Sequence, residues 1–218
     1  MDTIKSIRTR KTIRGFLDKA VSAELMREII IDAHWAPSAS NQQPWNFSVV
    51  TGDPLAALCS GISLAHKERK LSYDPSKGNV IPPEYVQRTR QLFKGLRPLI
   101  SSLGDENRSF IESGSYRFYN APVVIFMTMH NSMPAGKLMD IGMAAQNIML
   151  SAHSRGLGTC AIALTLHYAD VIKTALNITD EYDVVLSVAV GYTDEQFSIN
   201  AFRSDRDAVE DFTTWVGF

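Results

Sequence analysis

The stretch DIGMAAQNIMLSAHSRGLGTC, residues 140–160, decides the fold. From 137 to 155, Leu138, Ile141, Ala145, Ile148, Met149 and Ala152 recur at three- and four-residue spacing, which predicts an amphipathic helix. The small residues Gly142, Ala144 and Ala145 leave room for another helix to approach closely. Gly156 suits the position after a helix end, where left-handed backbone is needed. Residues 159–163 then read as a short strand.

Outward from this stretch, helices and strands intersperse. Toward the C-terminus a helix is expected over 169–176, then a strand over 184–190, apolar but for Ser187 and ended by Gly191. The tail is polar from 193 until Val209, Phe212 and Trp215, apolar residues that need cover from elsewhere, a second subunit included. Toward the N-terminus, 122–129 is almost wholly apolar and β-branched at Val123, Val124 and Ile125, so it reads as a buried strand. Helices over 84–96 and 105–119 precede it, after a loop over 71–83 with three prolines and a glycine. Asp53-Pro54 reads as the start of a helix to about 70, with Pro at the first helical position. A strand lies near 47–51. Ser22 is a plausible N-cap for a helix over 23–35, with Leu25, Ile29, Ile30 and Ala33 on one face and Pro37 after its stop. A short helix covers 3–7. Four or five short strands among these helices predict an α+β or α/β sandwich with a small central sheet flanked by helices.

The bulk numbers agree with one domain over 1–218. The chain is 45% hydrophobic and 21% charged, with a net charge of −1, which argues against a nucleic-acid or membrane-surface partner. Two cysteines, Cys59 and Cys160, argue against a disulfide framework and for a reducing compartment. No signal peptide or membrane-length apolar run is visible, so the cytoplasm is the expected location. The five histidines have no metal-ligand spacing, and no metal site is expected. Hydrolase elbow and Walker signatures are also absent from the sequence.

Four segments carry candidate chemistry. In Arg10-Lys11-Thr12-Ile13-Arg14, cations and a hydroxyl could surround one phosphate, although on spacing alone a solvated basic connector is the favoured reading. The run APSASNQQPW, residues 36–45, offers small residues for close approach to a flat ligand and the amides of Asn41 and Gln43. It also has the composition of a plain turn. Gly156 to Ala163, GLGTCAIA, could aim backbone N–H groups at a ligand or simply end a helix and start a strand, with Cys160 as a small core residue. Arg203 and Arg206, near the C-terminus, gain interest only if the first basic run binds phosphate.

In this order and at these separations, the "RKTIR" run, the "APSASNQQPW" loop, the "DIGMAAQNIMLSAHSRGLGTC" helix and turn, and the "VAVGY" strand with a following Arg resemble the FMN-dependent nitroreductase family. The resemblance spans nearly the whole chain. The stretch from Tyr73 through Phe118 to Pro122 is similar to the branch acting on nitrobenzoates and other nitroaromatics. The resemblance implies an α+β domain-swapped homodimer, each tail over 193–218 wrapping the other subunit, with two FMN molecules at the interface. It implies that Arg10, Lys11 and Thr12 hold the phosphate and ribityl end, joined by Arg206, with Arg203 as a second candidate. Arg14 would reach the flavin pyrimidine edge. Pro37, Ser38, Ala39, Ser40 and Asn41, with Gln43, would line the ring from the partner. Ala161, Ile162, Ala163 and Leu164 match the segment beside flavin N5, with an N–H such as that of Ile162 orienting the ring. The implied mechanism is ping-pong, from NADH or NADPH through FMN to a nitroaromatic, quinone or similar flat acceptor, with no catalytic side chain required.

The region 71–117 is expected to form the acceptor lid. Arg88, Arg90, Lys94 and Arg97 are offered there as cations for a carboxylated acceptor, or as a solvated helix face. Tyr73, Tyr85 or Phe93 could stack on it. Two other readings remain open at this stage: a same-fold reductive dehalogenase, ene-reductase or flavin-consuming enzyme, and a flavin-binding protein with little turnover.

Overall fold

The computed structural model describes residues 2–69, 78–104 and 107–218. Tyr73, most of the 71–83 loop and the first two residues of the 105–119 helix lie outside them. Seven α-helices are described: α1 (Thr3–Thr9), α2 (Ala23–His34), α3 (Gly52–Arg69), α4 (Pro83–Ser101), α5 (Asn107–Tyr116), α6 (Leu138–Ser154) and α7 (Ala169–Leu176). Four strands, β1 (Asn46–Thr51), β2 (Val123–His130), β3 (Leu157–Ile162) and β4 (Tyr182–Tyr192), form one antiparallel sheet in the order β1-β2-β4-β3.

The sheet separates two cores. Alternation along β2 sends Val123, Ile125, Met127 and Met129 to one face, against α2 and α6, and Val124 and Phe126 to the other, against α3, α4, α5 and α7. Both faces of β2 are therefore covered. This is why its sequence is almost wholly apolar instead of alternating. Ile29 and Ala33 of α2 meet Ala144, Ala145 and Ile148 of α6, so the small residues do receive a second helix. Gly142, in contrast, meets nothing within 4 Å. The Ser22 cap forms as expected, its Oγ accepting from the Leu25 N–H at 3.2 Å.

Several boundaries differ from the sequence reading. The helix expected over 84–96 runs on to Ser101 through Pro98. Proline disfavours such continuation, but Leu96 and Ile100 are fully buried, and their packing outweighs the lost hydrogen bond. Helix α3 begins at Gly52, so Pro54 sits inside its first turn. Helix α5 ends at Tyr116 because Phe118, Tyr119 and Asn120 adopt positive φ. Strand β3 begins directly after Gly156, which has φ +80°.

Gly191 does not end its strand. It lies inside β4, opposite Gly158 of β3. A Cβ on Gly191 would come 2.6 Å from Pro122 Cδ and 3.0 Å from Phe16 Cδ1. One on Gly158 would come 2.7 Å from Ile13 Cγ1. The facing glycines thus form a notch in the sheet surface that seats the N-terminal segment. Gly191→Ala should destabilise the fold by about 1–3 kcal/mol, because the methyl forces Pro122 or Phe16 aside. Urea denaturation checks this, and an unchanged midpoint contradicts the notch.

Candidate functional site

The basic run is not a solvated connector. After α1 the chain passes along the free edge of β3, where Thr12 bridges Thr159 and the Ile13 N–H donates to the Thr159 carbonyl at 2.9 Å. Ile13 is buried, while Arg10, Lys11, Thr12 and Arg14 are half-buried. Asn200, in the tail, fastens the segment. Its Oδ1 accepts from the N–H groups of Arg14 (2.8 Å) and Gly15 (3.2 Å), and its Nδ2 donates to the carbonyls of Gly15 (2.7 Å) and Asp194 (2.9 Å). Asn200 is 1% exposed, and its two bonds to Gly15 are fully buried.

This fastening brings the two ends of the chain together. One cavity of about 650 Å³ is lined by Arg10, Lys11, Thr12 and Arg14 from one end and by Arg203 and Arg206 from the other. Gln146 of α6 and Ser204 also line it. Burial, and then the nearby Arg206 and Arg203, push the Arg10 guanidinium below its ordinary value. Burial and the same cationic surroundings, Arg10 first, push the His153 imidazole down as well. Its Nε2 lies 2.7 Å from Thr9 Oγ1, bracing the end of α1. Behind the arms, burial pushes the Cys160 thiol up to about 11, so it stays protonated near neutral pH as a core wall.

The two late arginines play different parts. Arg203 donates to the Thr9 carbonyl at 3.3 Å and to the Arg8 carbonyl, at the C-terminal end of α1, where a cation meets the negative end of the helix. Arg206 folds onto its own loop, donating to Ser204 Oγ at 2.8 Å and the Asp205 carbonyl at 2.8 Å. Its guanidinium is exposed at the cavity mouth.

Pro37, Ser38, Ala39, Ser40, Asn41 and Gln43 do not line this cavity within one protomer. They form a separate, tightly constrained loop. Ser40, Asn41 and Gln43 adopt φ of 57°, 53° and 46°, and Ser38 Oγ accepts from the Gln43 N–H at 3.0 Å. The Gln43 amide is occupied by Asn41, through the backbone carbonyl and Oδ1. The start of α6 clamps the loop. Asp140, buried, accepts from the Ala39 N–H at 3.3 Å, and Lys137 donates to the Ala39 carbonyl at 3.1 Å. Trp45 is buried in the α2–α6 core.

Ala161 and Ala163 are exposed while Ile162 and Leu164 are buried. The Thr159 carbonyl faces away from β4, toward the basic segment. Peptide groups two residues apart point the same way along a strand, so the Ala161 N–H also faces the free edge and that of Ile162 faces β4. The edge-facing donor is therefore one residue from the expected one. Asn200, Gln146 and the Lys137–Asp140 clamp were not singled out from the sequence. Gln146, polar within an apolar helix, carried a signal; Asn200, in a polar tail, carried none.

Converging cations and a hydroxyl beside a free strand edge give this α+β fold a surface that can cradle an anion. Arg14 sharpens this: its Nε is buried without a hydrogen-bond partner among the described residues. That is a donor left for a ligand, and the residues present fit a phosphorylated, flat cofactor. The chain belongs to the Nitroreductase family, whose sequence profile matches residues 7–192. It is 32% identical over 219 residues to a 4-nitrobenzoate reductase of Pseudomonas putida, covering 97% of this chain and 94% of that one. It is 31% identical over 224 residues to a nitrobenzene nitroreductase of Ectopseudomonas oleovorans, covering 96% and 95%. The crystal structure of the FMN-dependent nitroreductase NfnB from Mycobacterium smegmatis in complex with NADPH matches with a TM-score of 0.88 and 27% identity, covering 98% and 97%.

Asn200→Ala removes the fastening and leaves several buried backbone groups unsatisfied, at about 2–4 kcal/mol of stability. Denaturant titration should show that loss, and a cost below about 0.5 kcal/mol, typical of a surface change, would mean the fastening is idle.

Proposed function

We propose that the chain is an FMN-dependent NAD(P)H oxidoreductase that reduces nitroaromatics, quinones or similar flat acceptors, working as a homodimer. The observation that carries this reading is the meeting of Arg10, Lys11, Arg203 and Arg206 in one cavity whose inner end is Arg14. The chain is also related over nearly its full length to nitroaromatic reductases.

In this reading Arg10, Lys11, Thr12 and Arg206 hold the phosphate. Guanidinium groups suit it because they give paired, charge-assisted hydrogen bonds. Arg203 holds α1 in place so that Arg10 is correctly aimed. When bound, FMN supplies the redox chemistry, taking a hydride from NAD(P)H and returning electrons to an acceptor. Arg14, half-buried, would lie against the ring and favour negative charge there. The small side chains of Ala161 and Ala163 leave the strand edge open to a flat ring, and the outward N–H of Ala161 is positioned to orient it. No side chain is required as a proton donor if water supplies the proton.

The dimer accounts for apolar surface that one protomer leaves exposed. Trp35 is 83% exposed, Met139 72% and Trp215 60%, the last with exposed Phe212, Val216 and Phe218 near it in sequence. Patches of this kind mark interfaces. Gly142, open on α6, gives a partner helix a place to approach. The strained loop at Pro37, Ser38, Ala39, Ser40 and Asn41 then completes the partner's site. The acceptor lid is assigned to 71–117, of which α4 and α5 are the described part, and the partner-wrapping tail to 193–218. Among the described residues no helix is long and apolar enough to cross a membrane. Both cysteines are free thiols. We assign the protein to the cytoplasm.

Purification without added cofactor should yield a yellow protein whose colour bleaches on anaerobic addition of NADH or NADPH. Arg10→Gln should weaken FMN binding by about tenfold or more while affecting riboflavin far less, since only FMN carries the phosphate. Equal losses for both would remove the phosphate from this cavity. Arg14→Ala should retain FMN and slow its reduction in stopped-flow mixing, and bleaching at the wild-type rate would refute its electrostatic role.

A further inference from the structure

The loop over 37–43 contains no glycine, yet Ser40, Asn41 and Gln43 hold left-handed φ of 57°, 53° and 46°. Backbone of this kind persists only where its surroundings enforce it. We propose that Asp140 enforces it, as a positioning residue for the flavin site of the other subunit. The inference rests on the dimeric flavoenzyme reading above and names a residue that aligns its shared site.

Asp140 lies in the first turn of α6 and is 4% exposed. A carboxylate in that turn suits the positive helix end even when solvated, so the helix alone does not explain the burial. Taking a carboxylate out of water is costly unless it is paired and hydrogen-bonded. Both of its partners lead to one residue, Ala39. Asp140 Oδ2 accepts from the Ala39 N–H at 3.3 Å and lies 3.4 Å from Lys137 Nζ. The same Nζ donates to the Ala39 carbonyl at 3.1 Å. A shielded ion pair thus grips Ala39 by its donor and its acceptor at once.

The grip sits immediately before the left-handed turn. Fixing Ala39 fixes where Ser40 enters that turn, and the bond from the Gln43 N–H to Ser38 Oγ closes the far end. Ser40 and Asn41 are exposed and do not line the Arg10–Arg206 cavity of their own protomer. Exposed Trp35 precedes the loop, and exposed Met139 precedes Asp140. In sequence, both halves of the grip therefore adjoin the apolar surface assigned to the partner. Asp140 acts through the loop, and the loop is assigned to the ring, not to the phosphate.

Titration of the apoprotein with FMN and with riboflavin, followed by flavin fluorescence, tests this. Asp140→Ala should weaken both by the same factor, about tenfold or more, in contrast to the phosphate-selective loss expected of Arg10→Gln. Asp140→Asn keeps an acceptor for the Ala39 N–H and should recover part of that loss. If Asp140→Ala does not fold, Lys137→Ala removes the other half of the grip and carries the same test. A mixed dimer of one Asp140→Ala chain and one Arg10→Gln chain, isolated with two affinity tags, then reads the direction of the effect. If the loop serves the partner, one of the two sites joins intact arms to an intact loop, and half of the sites should bind FMN with wild-type affinity. Impairment of both sites would overturn the proposal. So would wild-type affinity for FMN and riboflavin in the Asp140→Ala or Lys137→Ala dimer. A wild-type chain that binds neither flavin would overturn the flavoenzyme reading itself, and the proposal with it.

Discussion

The edge of β3 could have been closed by another strand, yet it receives a short basic segment, and that docking governs the rest of the architecture. It works only because Gly158 and Gly191 face each other and leave the sheet surface bare where Ile13 and Phe16 must lie. Ile13 supplies the apolar anchor, the Thr159 carbonyl supplies the register, and Asn200 locks the backbone from the far side. The alternation of the segment then follows: with Ile13 turned into the core, Thr12 and Arg14 turn away from it. A cationic surface is thus obtained from strand geometry, without a helix N-terminus or a glycine-rich loop.

Concentrating arginines in one cavity opposes folding unless something offsets their repulsion. Part of the offset is internal, since Arg203 sits against the negative end of α1. The remainder falls to the ligand, because an anion bound to the folded protein alone raises stability by mass action. Cys160 and Tyr119, both raised above their ordinary values chiefly by burial, stay neutral behind the cations and add no charge of their own.

The sequence was most legible where one physical rule acted alone. The amphipathic α7 matches its expected range, and the apolar run of β2 matches within a residue, because the pattern of burial dictated both. Legibility failed where glycine had two possible meanings. Gly156 is a helix stop with positive φ, as expected, but Gly191 is a steric vacancy inside a strand, and nothing local distinguishes them. Pro98 failed for a related reason, since its local cost is overruled by burial of Leu96 and Ile100. As for the site, spacing alone left Arg10–Arg14 as ambiguous as any basic connector. The family resemblance, not periodicity, linked it to Arg203 and Arg206, and the structure places all of them around one cavity. Asn200 and Asp140 escaped notice because an amide in a polar tail and a carboxylate at a helix start are ordinary until the fold places them.

The Asn200 bridge spans 185 residues of sequence to reach Gly15. Contacts of such separation form late, after the loop-closure entropy of the intervening chain has been overcome. During synthesis the N-terminal arm leaves the ribosome first and must wait, cationic and unpaired, until nearly the entire polypeptide has followed. Premature termination anywhere upstream of Asn200 therefore yields a product that cannot fasten its two ends together.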